Sequence, residues 1–307
     1  MKILLAGPRG FCAGVERAIE CVERALEKYG PPVYVLNDIV HNATVVRQLA
    51  DRGAVFVKDL ADVPTGSNLL FSAHGVPPTA WEQARQRDLN ILDATCPLVE
   101  KVHVEARRFA AADCHIILVG ERGHDEVTGT VGQAPDRFSV VFDEADVDAL
   151  DIADESNIAY LTQTTLSVDD SIRVIEALRR RFPRIQGPPS DDICYATQNR
   201  QAAVRELAPK ADLVLAVGDR NSANSNRLAS IAGEMGVSSH LIESAEDIRR
   251  DWLEGVGTVL ITSGASAPES LVREVIESLR AIEPCEVEEF EIVTEDVRFS
   301  LPVLLRR

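Results

Sequence analysis

The chain is built around one segment, Gly7-Pro8-Arg9-Gly10-Phe11-Cys12-Ala13-Gly14-Val15-Glu16. An apolar run, Ile3-Leu4-Leu5-Ala6, precedes it and is typical of a buried strand, and apolar residues then recur at helical spacing from Val15 to Leu26. Cys12 therefore lies where a strand gives way to a helix. A helix N-terminus stabilises negative charge, so this position favours a thiolate over a thiol. For a lone cysteine, the alternative is a small buried residue at a tight turn.

Length and composition are those of an ordinary globular protein. The chain has 307 residues, of which 45% are hydrophobic and 26% are charged, and this length predicts two or three domains. No apolar run approaches the roughly 18 residues of a membrane span. The chain enters its first strand within two residues of Met1. We therefore expect no membrane segment, no signal peptide and a cytoplasmic location.

The net charge and the number of cysteines exclude several classes of function. A formal net charge of −17 argues against nucleic acid and anionic membranes as partners. A phosphorylated substrate remains compatible with it, because helix dipoles and histidines can bind an anion inside an acidic protein. The six cysteines include no CxxC pair and are too sparse for a disulfide framework. Any metal site must collect cysteines that are far apart in the sequence.

The sequence repeats one pattern of strands and helices three times. Each repeat begins at a cysteine before a helix, and polar residues at strand ends follow after 29, 28 and 30 residues and again after 62, 68 and 72 residues. Alternation at these lengths predicts parallel α/β units with right-handed crossovers. We predict a first unit at 1–95, a second at 96–193, a third at 194–284 and a C-terminal extension at 285–307 that includes an edge strand.

The predicted fold class is therefore α/β, with three similar units and mainly parallel sheets around a pseudo-threefold axis. Functional loops of such sheets lie beyond the carboxyl ends of the strands, so three related units could direct their loops to one central cluster site. The cysteines at equivalent positions are Cys12, Cys96 and Cys194.

Three converging thiolates favour zinc or an iron–sulfur cluster, because soft ligands select these metals. A four-iron cluster with three protein ligands keeps one iron open for a substrate oxygen. The alternative is a coincidence of three buried cysteines. The other three, Cys21, Cys114 and Cys285, are interpreted as ordinary thiols.

The polar loops indicate an anion site. Hydroxyls, an amide, imidazoles and strand-end N–H groups suit a multi-oxygen anion such as diphosphate. Taken singly, a strand-end serine or asparagine is more often a helix cap, and a lone histidine is more often structural. The predicted anion-binding residues are His41, His74, His124, Ser222, Asn224 and Ser266.

Glu126 is the candidate acid. It follows His124 by two residues, in a loop that we expect to face the same pocket. A carboxyl group hydrogen-bonded to a hydroxyl such as that of Thr164 could move protons to a bound substrate. A surface glutamate is the alternative in so acidic a chain.

Nine motifs, in order along nearly the whole chain, resemble those of the 4-hydroxy-3-methylbut-2-enyl diphosphate reductase family. They are Pro8-Arg9-Gly10-Phe11-Cys12-Ala13-Gly14-Val15, Val40-His41-Asn42, Phe71-Ser72-Ala73-His74-Gly75-Val76, Asp93-Ala94-Thr95-Cys96-Pro97, Gly123-His124-Asp125-Glu126-Val127, Thr162-Gln163-Thr164-Thr165-Leu166-Ser167, Asp191-Asp192-Ile193-Cys194, Asn221-Ser222-Ala223-Asn224-Ser225-Asn226-Arg227 and Gly264-Ala265-Ser266-Ala267-Pro268.

The resemblance implies the last step of the non-mevalonate isoprenoid pathway. In that reaction, the hydroxyl group of a branched allylic diphosphate is removed reductively, which gives isopentenyl and dimethylallyl diphosphate. The resemblance also implies one 4Fe-4S cluster, sometimes isolated as 3Fe-4S, whose open iron takes the substrate hydroxyl. Its three ligands would be Cys12, Cys96 and Cys194.

The resemblance further implies the role of each polar residue. The histidines, Ser222, Asn224 and Ser266 match a diphosphate pocket, whereas Glu126 matches the proton-delivering acid and Thr164 the substrate-contacting hydroxyl beside it. Many relatives have a second serine where this chain has Ala223. Loss of one hydrogen bond to a charged group weakens binding by roughly 1.5–3 kcal/mol if nothing replaces it.

The electrons are expected to come from another protein, because Gly7, Gly10 and Gly14 do not form the GxGxxG fingerprint of a dinucleotide site. The resemblance implies a ferredoxin or a flavodoxin as donor. Arg9 and the run Arg179-Arg180-Arg181 are the basic residues considered for its docking face, although a solvated helix end is the commoner role of such a run.

Two other functions remain open from the residues alone. One is a zinc-dependent hydrolase built on three cysteines, with Glu126 as general base. The other is an electron carrier or iron–sulfur binding module. Carriers usually close all four ligand positions, whereas only three cysteines align in this chain.

Overall fold

A computed structural model describes residues 1–306. The chain forms two compact units, and each is made of several segments. The first unit comprises Met1–Val15, His41–Val45 and Tyr195–Arg298; the second comprises Glu16–Val40, Val46–Cys194 and the segment from Phe299 onwards.

Strands and helices alternate along the described residues. The strands are β1 (Lys2–Gly7), β2 (Val33–Leu36), β3 (Ala54–Val57), β4 (Asn68–Phe71), β5 (Asn90–Asp93), β6 (His115–Val119), β7 (Phe138–Val141), β8 (Ile158–Thr162), β9 (Leu213–Val217), β10 (Ser238–Ile242), β11 (Thr258–Ser263) and β12 (Glu286–Glu291). The helices are α1 (Ala13–Tyr29), α2 (Ala43–Asp51), α3 (Pro78–Gln86), α4 (Pro97–Ala111), α5 (Asp125–Val131), α6 (Glu144–Asp148), α7 (Val168–Arg181), α8 (Tyr195–Leu207), α9 (Ala223–Glu234) and α10 (Glu269–Ile282).

The first unit is built on a five-stranded sheet in the order β10-β9-β11-β1-β12, and every pair in it is parallel. Successive residues of a strand point to opposite faces. Ile3 and Leu5 accordingly pack with α10, whereas Leu4 and Ala6 pack with α8 and α9. Burial on both faces explains why these strands are continuous apolar runs in the sequence.

The edge strand β12 confirms the strand predicted after Pro284. It pairs in parallel with β1, from Lys2 opposite Glu286 to Gly7 opposite Glu291. Its four glutamates are exposed, and charges on an edge strand discourage pairing with another chain.

The second unit contains two parallel sheets, ordered β3-β2-β4-β5 and β7-β6-β8. The first sheet packs Leu69 and Phe71 against α3. In the second sheet, Ile117 and Val119 pack with α7, and the alternate residues of β6 pack with α4. All three sheets therefore direct the carboxyl ends of their strands into loops that carry the predicted site residues.

The predicted α/β class with parallel sheets is confirmed. Strand β1, which leads to Cys12, pairs with β11 and β12 in the sheet of the first unit. The unit boundaries at 1–95, 96–193, 194–284 and 285–307 stay a prediction about the sequence repeat. Within residues 1–306, every helix is too short or too polar to cross a membrane.

Candidate active site

The three predicted ligand cysteines share one backbone arrangement. The N–H group of each donates a hydrogen bond to a carbonyl oxygen in the loop that follows β11, β4 or β8. The donor–acceptor pairs are Cys12–Ala265 (3.2 Å) in the first unit, and Cys96–Ala73 (3.0 Å) and Cys194–Thr164 (3.0 Å) in the second. The repeat seen in the sequence thus extends to the geometry of the cysteine backbone.

Each of these cysteines also directly precedes a helix. Helix α1 begins at Ala13, α4 at Pro97 and α8 at Tyr195. The position predicted for Cys12, directly before a helix, is therefore confirmed. Their thiols are partly exposed, whereas Cys21 and Cys114 are buried. A partly exposed thiol at a helix N-terminus is suited to bind a metal as the thiolate.

The remaining cysteines are in surroundings that keep them protonated. Burial raises the pKa of the Cys21 thiol to about 12, and burial also raises the pKa of Cys114 and of Cys285. A thiol with a raised pKa is a poor metal ligand and nucleophile. Their interpretation as ordinary thiols agrees with this.

Two hydrogen bonds join Thr164 to Glu126 in the second unit. The Thr164 N–H donates to one carboxylate oxygen of Glu126 at 2.6 Å, and the Thr164 hydroxyl donates to the other at 2.9 Å. Glu126 has only 2% of its surface exposed. The surface-glutamate alternative is therefore wrong, and the hydrogen bond predicted between this carboxyl and a hydroxyl is confirmed.

Burial raises the pKa of Glu126 from 4.5 to about 7, against the two hydrogen bonds from Thr164, which lower it. The buried Asp192 carboxylate contributes a smaller rise through charge repulsion. A carboxyl group with a pKa near neutrality can both hold and release a proton at physiological pH. The carbonyl oxygen of Thr164 also accepts the N–H of Cys194. Thr164 therefore contacts both Glu126 and one of the predicted ligand cysteines.

His124 is the N-cap residue of α5. Its Nδ1 accepts the backbone N–H of Glu126 at 3.1 Å. An accepting Nδ1 carries no proton in the neutral ring, so this hydrogen bond assigns the tautomer with N–H at Nε2. The His124 side chain therefore orients Glu126 through its backbone and presents a donor at the other end of the ring.

His74 lies beside His124, with the ring centroids 5.7 Å apart and the rings nearly perpendicular. Its Nδ1 is 3.4 Å from the Ser72 hydroxyl and 4.0 Å from a carboxylate oxygen of Asp125. The sequence did not single out Asp125. Its position between His124 and Glu126 was the available signal, since both neighbours were predicted site residues.

Asn224 in the first unit has an unusual environment. It is buried, with 4% of its surface exposed, and neither atom of its side-chain amide has a hydrogen-bond partner among residues 1–306. It lies in the first turn of α9, whose N-cap is Ser222. The Ser222 hydroxyl oxygen accepts the N–H of Ser225 at 3.3 Å. A helix N-terminus with an unsatisfied amide is suited to bind an anion.

Two glycines allow the α9 N-terminus to approach the strand ends this closely. A Cβ atom at Gly218 would lie 2.2 Å from the Ser225 hydroxyl oxygen, and one at Gly264 would lie 2.0 Å from it. Ser225 thus packs between the loops that follow β9 and β11. This contact holds Ser222 and Asn224 close to those strand ends.

His41 is anchored through its backbone in the first unit. The Ser266 hydroxyl donates to the carbonyl oxygen of His41 at 2.9 Å, and a carboxylate oxygen of the buried Asp219 accepts the N–H of Ala43 at 2.9 Å. Ser266 therefore uses its proton to fix the His41 loop and offers a ligand only its oxygen in this arrangement.

The structure thus divides the predicted residues between the two units. The first unit carries Cys12, His41, Ser222, Asn224 and Ser266, and the second carries His74, Cys96, His124, Glu126, Thr164 and Cys194. The observed contacts are His41 with Ser266, His74 with His124, and Glu126 with Thr164. The roles assigned to all these residues stay predictions.

Comparison with known proteins gives consistent matches over nearly the whole chain. The LytB protein family matches residues 3–280. A protein of Mycolicibacterium paratuberculosis named 4-hydroxy-3-methylbut-2-enyl diphosphate reductase is 54% identical over 306 residues, which is 99% of this chain and 92% of that protein.

Two solved structures are also similar. The E-1-hydroxy-2-methyl-but-2-enyl-4-diphosphate reductase from Plasmodium falciparum superposes with a TM-score of 0.96 at 39% identity, over 99% of this chain and 96% of that one. A second, described as (E)-4-hydroxy-3-methyl-but-2-enyl diphosphate reductase, the terminal enzyme of the non-mevalonate pathway, has a TM-score of 0.65 at 30% identity, over 92% of this chain and 100% of that one.

Proposed function

This chain belongs to the LytB protein family, and from that premise we propose that it is a 4-hydroxy-3-methylbut-2-enyl diphosphate reductase. It removes the hydroxyl group of the allylic diphosphate with two electrons and two protons, releasing water and forming isopentenyl or dimethylallyl diphosphate. The observation in this chain that carries the proposal is the buried Glu126 carboxyl, which accepts a hydrogen bond from the Thr164 hydroxyl at 2.9 Å. Burial raises the pKa of Glu126 to about 7, which suits proton delivery.

The metal group that we propose is one 4Fe-4S cluster on Cys12, Cys96 and Cys194. The donor set fits it: three partly exposed thiols, each at a helix N-terminus and each held by the same backbone hydrogen bond. Thiolates are the ligands that such clusters select. When bound, the cluster supplies electrons and an open iron for the substrate hydroxyl oxygen. Loss of that iron would leave the 3Fe-4S form.

Asn224 and the N-terminus of α9 are proposed to bind the diphosphate, together with Ser222. A buried amide without a partner costs free energy, and phosphate oxygens can accept from its N–H group. The first N–H groups of α9 add donors along the same helix end. Ala223 lies at the first residue of this helix, so the absence of a serine hydroxyl removes a side-chain donor but keeps the backbone one.

His74 and His124 are proposed to donate to the diphosphate, and His41 and Ser266 to contact it. The tautomer assigned to His124 supports donation from Nε2, because Nδ1 is used as an acceptor. An imidazole N–H bonded to a charged oxygen forms a stronger hydrogen bond than a neutral pair does.

Thr164 is proposed to relay the proton of Glu126. When the Glu126 carboxyl is ionised, the Thr164 hydroxyl donates to it at 2.9 Å; when it is protonated, the hydroxyl can accept from it. The hydroxyl is therefore able to transmit a proton from the buried acid to a group on its other side. Its backbone contacts to Glu126 and Cys194 fix it in place.

Electrons are proposed to come from an external ferredoxin or flavodoxin, and a cytoplasmic location stays a prediction. The basic residues considered for docking have partners within the chain. Arg9 pairs with Glu269 at 2.8 Å and Glu289 at 2.6 Å, and Arg180 pairs with Glu144 at 3.2 Å. These contacts favour structural roles for Arg9 and Arg180.

The proposal is tested by turnover under anaerobic conditions with a reduced low-potential donor. We expect the allylic alcohol diphosphate to be converted to both five-carbon products, and Cys96→Ser to lose iron and turnover. Cys285→Ser is the matched control, because this thiol is also partly exposed and should leave both unchanged. Bound zinc with hydrolysis of the diphosphate would instead support the zinc hydrolase and contradict the reductase.

A further inference from the structure

A basic side chain follows each predicted ligand cysteine by five or six residues, and each donates to main-chain carbonyls just before another of these cysteines. The bonds are Arg17 to Thr95 (3.0 Å) and Asp93 (3.4 Å), Lys101 to Ser190 (2.9 Å) and Asp191 (2.6 Å), and Arg200 to Gly10 (2.7 Å).

We propose that Arg17, Lys101 and Arg200 are positioning residues that hold the backbone from which the three thiolates bind metal. The inference rests on the proposed function, since it presupposes that the three cysteines are ligands. It adds the side chains that fix their loops. None of the three is proposed to touch substrate or to take part in the reaction.

These hydrogen bonds provide donors to main-chain carbonyls that need them. Carbonyl groups outside helices and strands, such as those of Gly10, Thr95 and Ser190, require a donor from elsewhere. A charged donor forms a stronger hydrogen bond than a neutral one. Arg200 is completely buried and is balanced by Glu295, with a shortest distance of 3.1 Å. Removal of one partner from a buried ion pair leaves an uncompensated charge, which is strongly destabilising.

Lys101 also forms an ion pair next to the segment that it holds. Its ammonium group lies 3.3 Å from a carboxylate oxygen of Asp192, in addition to its two bonds to main-chain carbonyls. The other oxygen of Asp192 accepts the N–H of Thr162, at the end of β8, at 3.0 Å. The segment that leads into Cys194 is thus joined to α4 on one side and to β8 on the other.

The three links follow one cyclic order along the chain. The helix after Cys12 holds the loop before Cys96, the helix after Cys96 holds the loop before Cys194, and the helix after Cys194 holds the loop before Cys12. Each link lies inside one compact unit. Three repeats of the same link, with the same choice of main-chain acceptors, are not expected of cations that merely solvate a helix.

Arg24, on the same helix as Arg17, shows what such a solvating cation looks like. Its side chain is 53% exposed and contacts the carboxylates of Glu20 and Glu27, which are its neighbours along the helix. Within residues 1–306, Arg24 donates to no main-chain carbonyl. Arg24→Met is therefore the matched control for loss of a cation from a helix that follows a ligand cysteine.

The test is amide hydrogen exchange of the full chain after metal removal, with Lys101→Met, Lys101→Arg and Arg24→Met. We expect Lys101→Met to accelerate exchange of residues 190–194 by roughly tenfold, with most other segments unchanged, and Lys101→Arg to restore protection in part. Arg17→Met is the second variant, with acceleration at 93–96 and near Ser300, whose carbonyl also accepts from Arg17.

A second readout is the metal. In the loaded protein, we expect Lys101→Met to release iron to a chelator roughly ten to a hundred times faster than the unaltered chain, as for other residues that orient metal ligands. Unchanged exchange at 190–194, equal acceleration everywhere, or the same effect from Arg24→Met would overturn the inference. Failure of the unaltered chain to bind an iron–sulfur cluster would instead refute the proposed function, and the exchange pattern would still test the three links.

Discussion

Replacement of Glu126 by glutamine removes the titrating proton, keeps the size of the side chain and leaves one acceptor oxygen in place of two. The amide oxygen can still accept the Thr164 N–H, which donates to the carboxylate at 2.6 Å in the native protein. The variant is therefore expected to fold, and it separates the effect of the charge from the effect of the shape.

The magnitude follows from the pKa of Glu126. Burial raises it from 4.5 to about 7 in the folded protein, so the native state binds this proton more tightly than the unfolded chain. The stabilisation from that proton is fully present below about pH 4.5 and is lost as the pH rises through about 7. Between about pH 5 and about pH 8.5, the native protein therefore loses roughly 2.5 kcal/mol of its free energy of unfolding through this one proton. Glu126→Gln should not show it.

The assay is urea unfolding under anaerobic conditions at both pH values, with equal metal loading. The free energy of unfolding of Glu126→Gln should rise relative to the native protein by roughly 2–3 kcal/mol between the low and the high pH. Glu121→Gln, which replaces an exposed glutamate in the loop before α5, is the control and should follow the native protein. An equal pH dependence in Glu126→Gln and the native protein would refute the raised pKa.

The same variant tests the role of the proton in turnover. We expect Glu126→Gln to lower kcat by roughly a hundredfold to ten-thousandfold, the usual contribution of a general acid, with a much smaller change in substrate affinity. Full turnover with intact metal content would mean that another group delivers the proton.

Three further substitutions test two site residues and one glycine that packs beside the site. Asn224→Ala should weaken diphosphate binding by roughly tenfold to a hundredfold, measured by calorimetry with the substrate, because a donor to a charged group is lost. Thr164→Val should raise the pKa of Glu126, since the Thr164 hydroxyl bond lowers it, and should move the alkaline limb of the pH–rate profile upwards while reducing kcat. Gly218→Ala should lower the free energy of unfolding by roughly 1–3 kcal/mol, because its Cβ would lie 2.2 Å from the Ser225 hydroxyl oxygen.

Each of these changes has a matched comparison. Thr164→Ser keeps the hydroxyl and should retain the native pH profile, so an equal shift in both variants would exclude the hydroxyl as its cause. Gly257→Ala places a Cβ 3.5 Å from its nearest neighbour and should be almost neutral; equal destabilisation would contradict the steric argument at Gly218. Unchanged substrate affinity in Asn224→Ala would remove Asn224 from the binding site.

Much of the fold could be predicted because its strands are buried on both faces. The run Ile3-Leu4-Leu5-Ala6 and the helical spacing after it located the turn at Cys12, and α1 begins one residue later. Short elements were missed. Helix α5 has seven residues and includes Gly129, so too few apolar positions repeat to show a helical period. His124 was accordingly predicted in a loop, whereas it caps a helix.

The sequence could predict those site residues that directly follow strands. It could not predict the residues that support them. Asp219 binds the N–H of Ala43 across 176 positions of the chain, and Arg200 binds the carbonyl of Gly10 across 190. Such pairs depend on how remote loops meet, which no local pattern encodes. The burial of Glu126 could not be predicted either, because the residues just before it, His124 and Asp125, are polar.

We propose that a metal cluster on three cysteines, each held in the same way, serves the chemistry at Glu126 and Thr164. This proposal is tested most directly by the iron and sulfide content of anaerobically purified protein, with spectra recorded before and after addition of the allylic alcohol diphosphate. A 4Fe-4S cluster with three cysteine ligands predicts close to four irons and four sulfides per chain and a spectral change when the substrate hydroxyl binds. Zinc in place of iron, or a cluster whose spectrum does not change when the substrate is added, would rule out an open iron that binds the hydroxyl group.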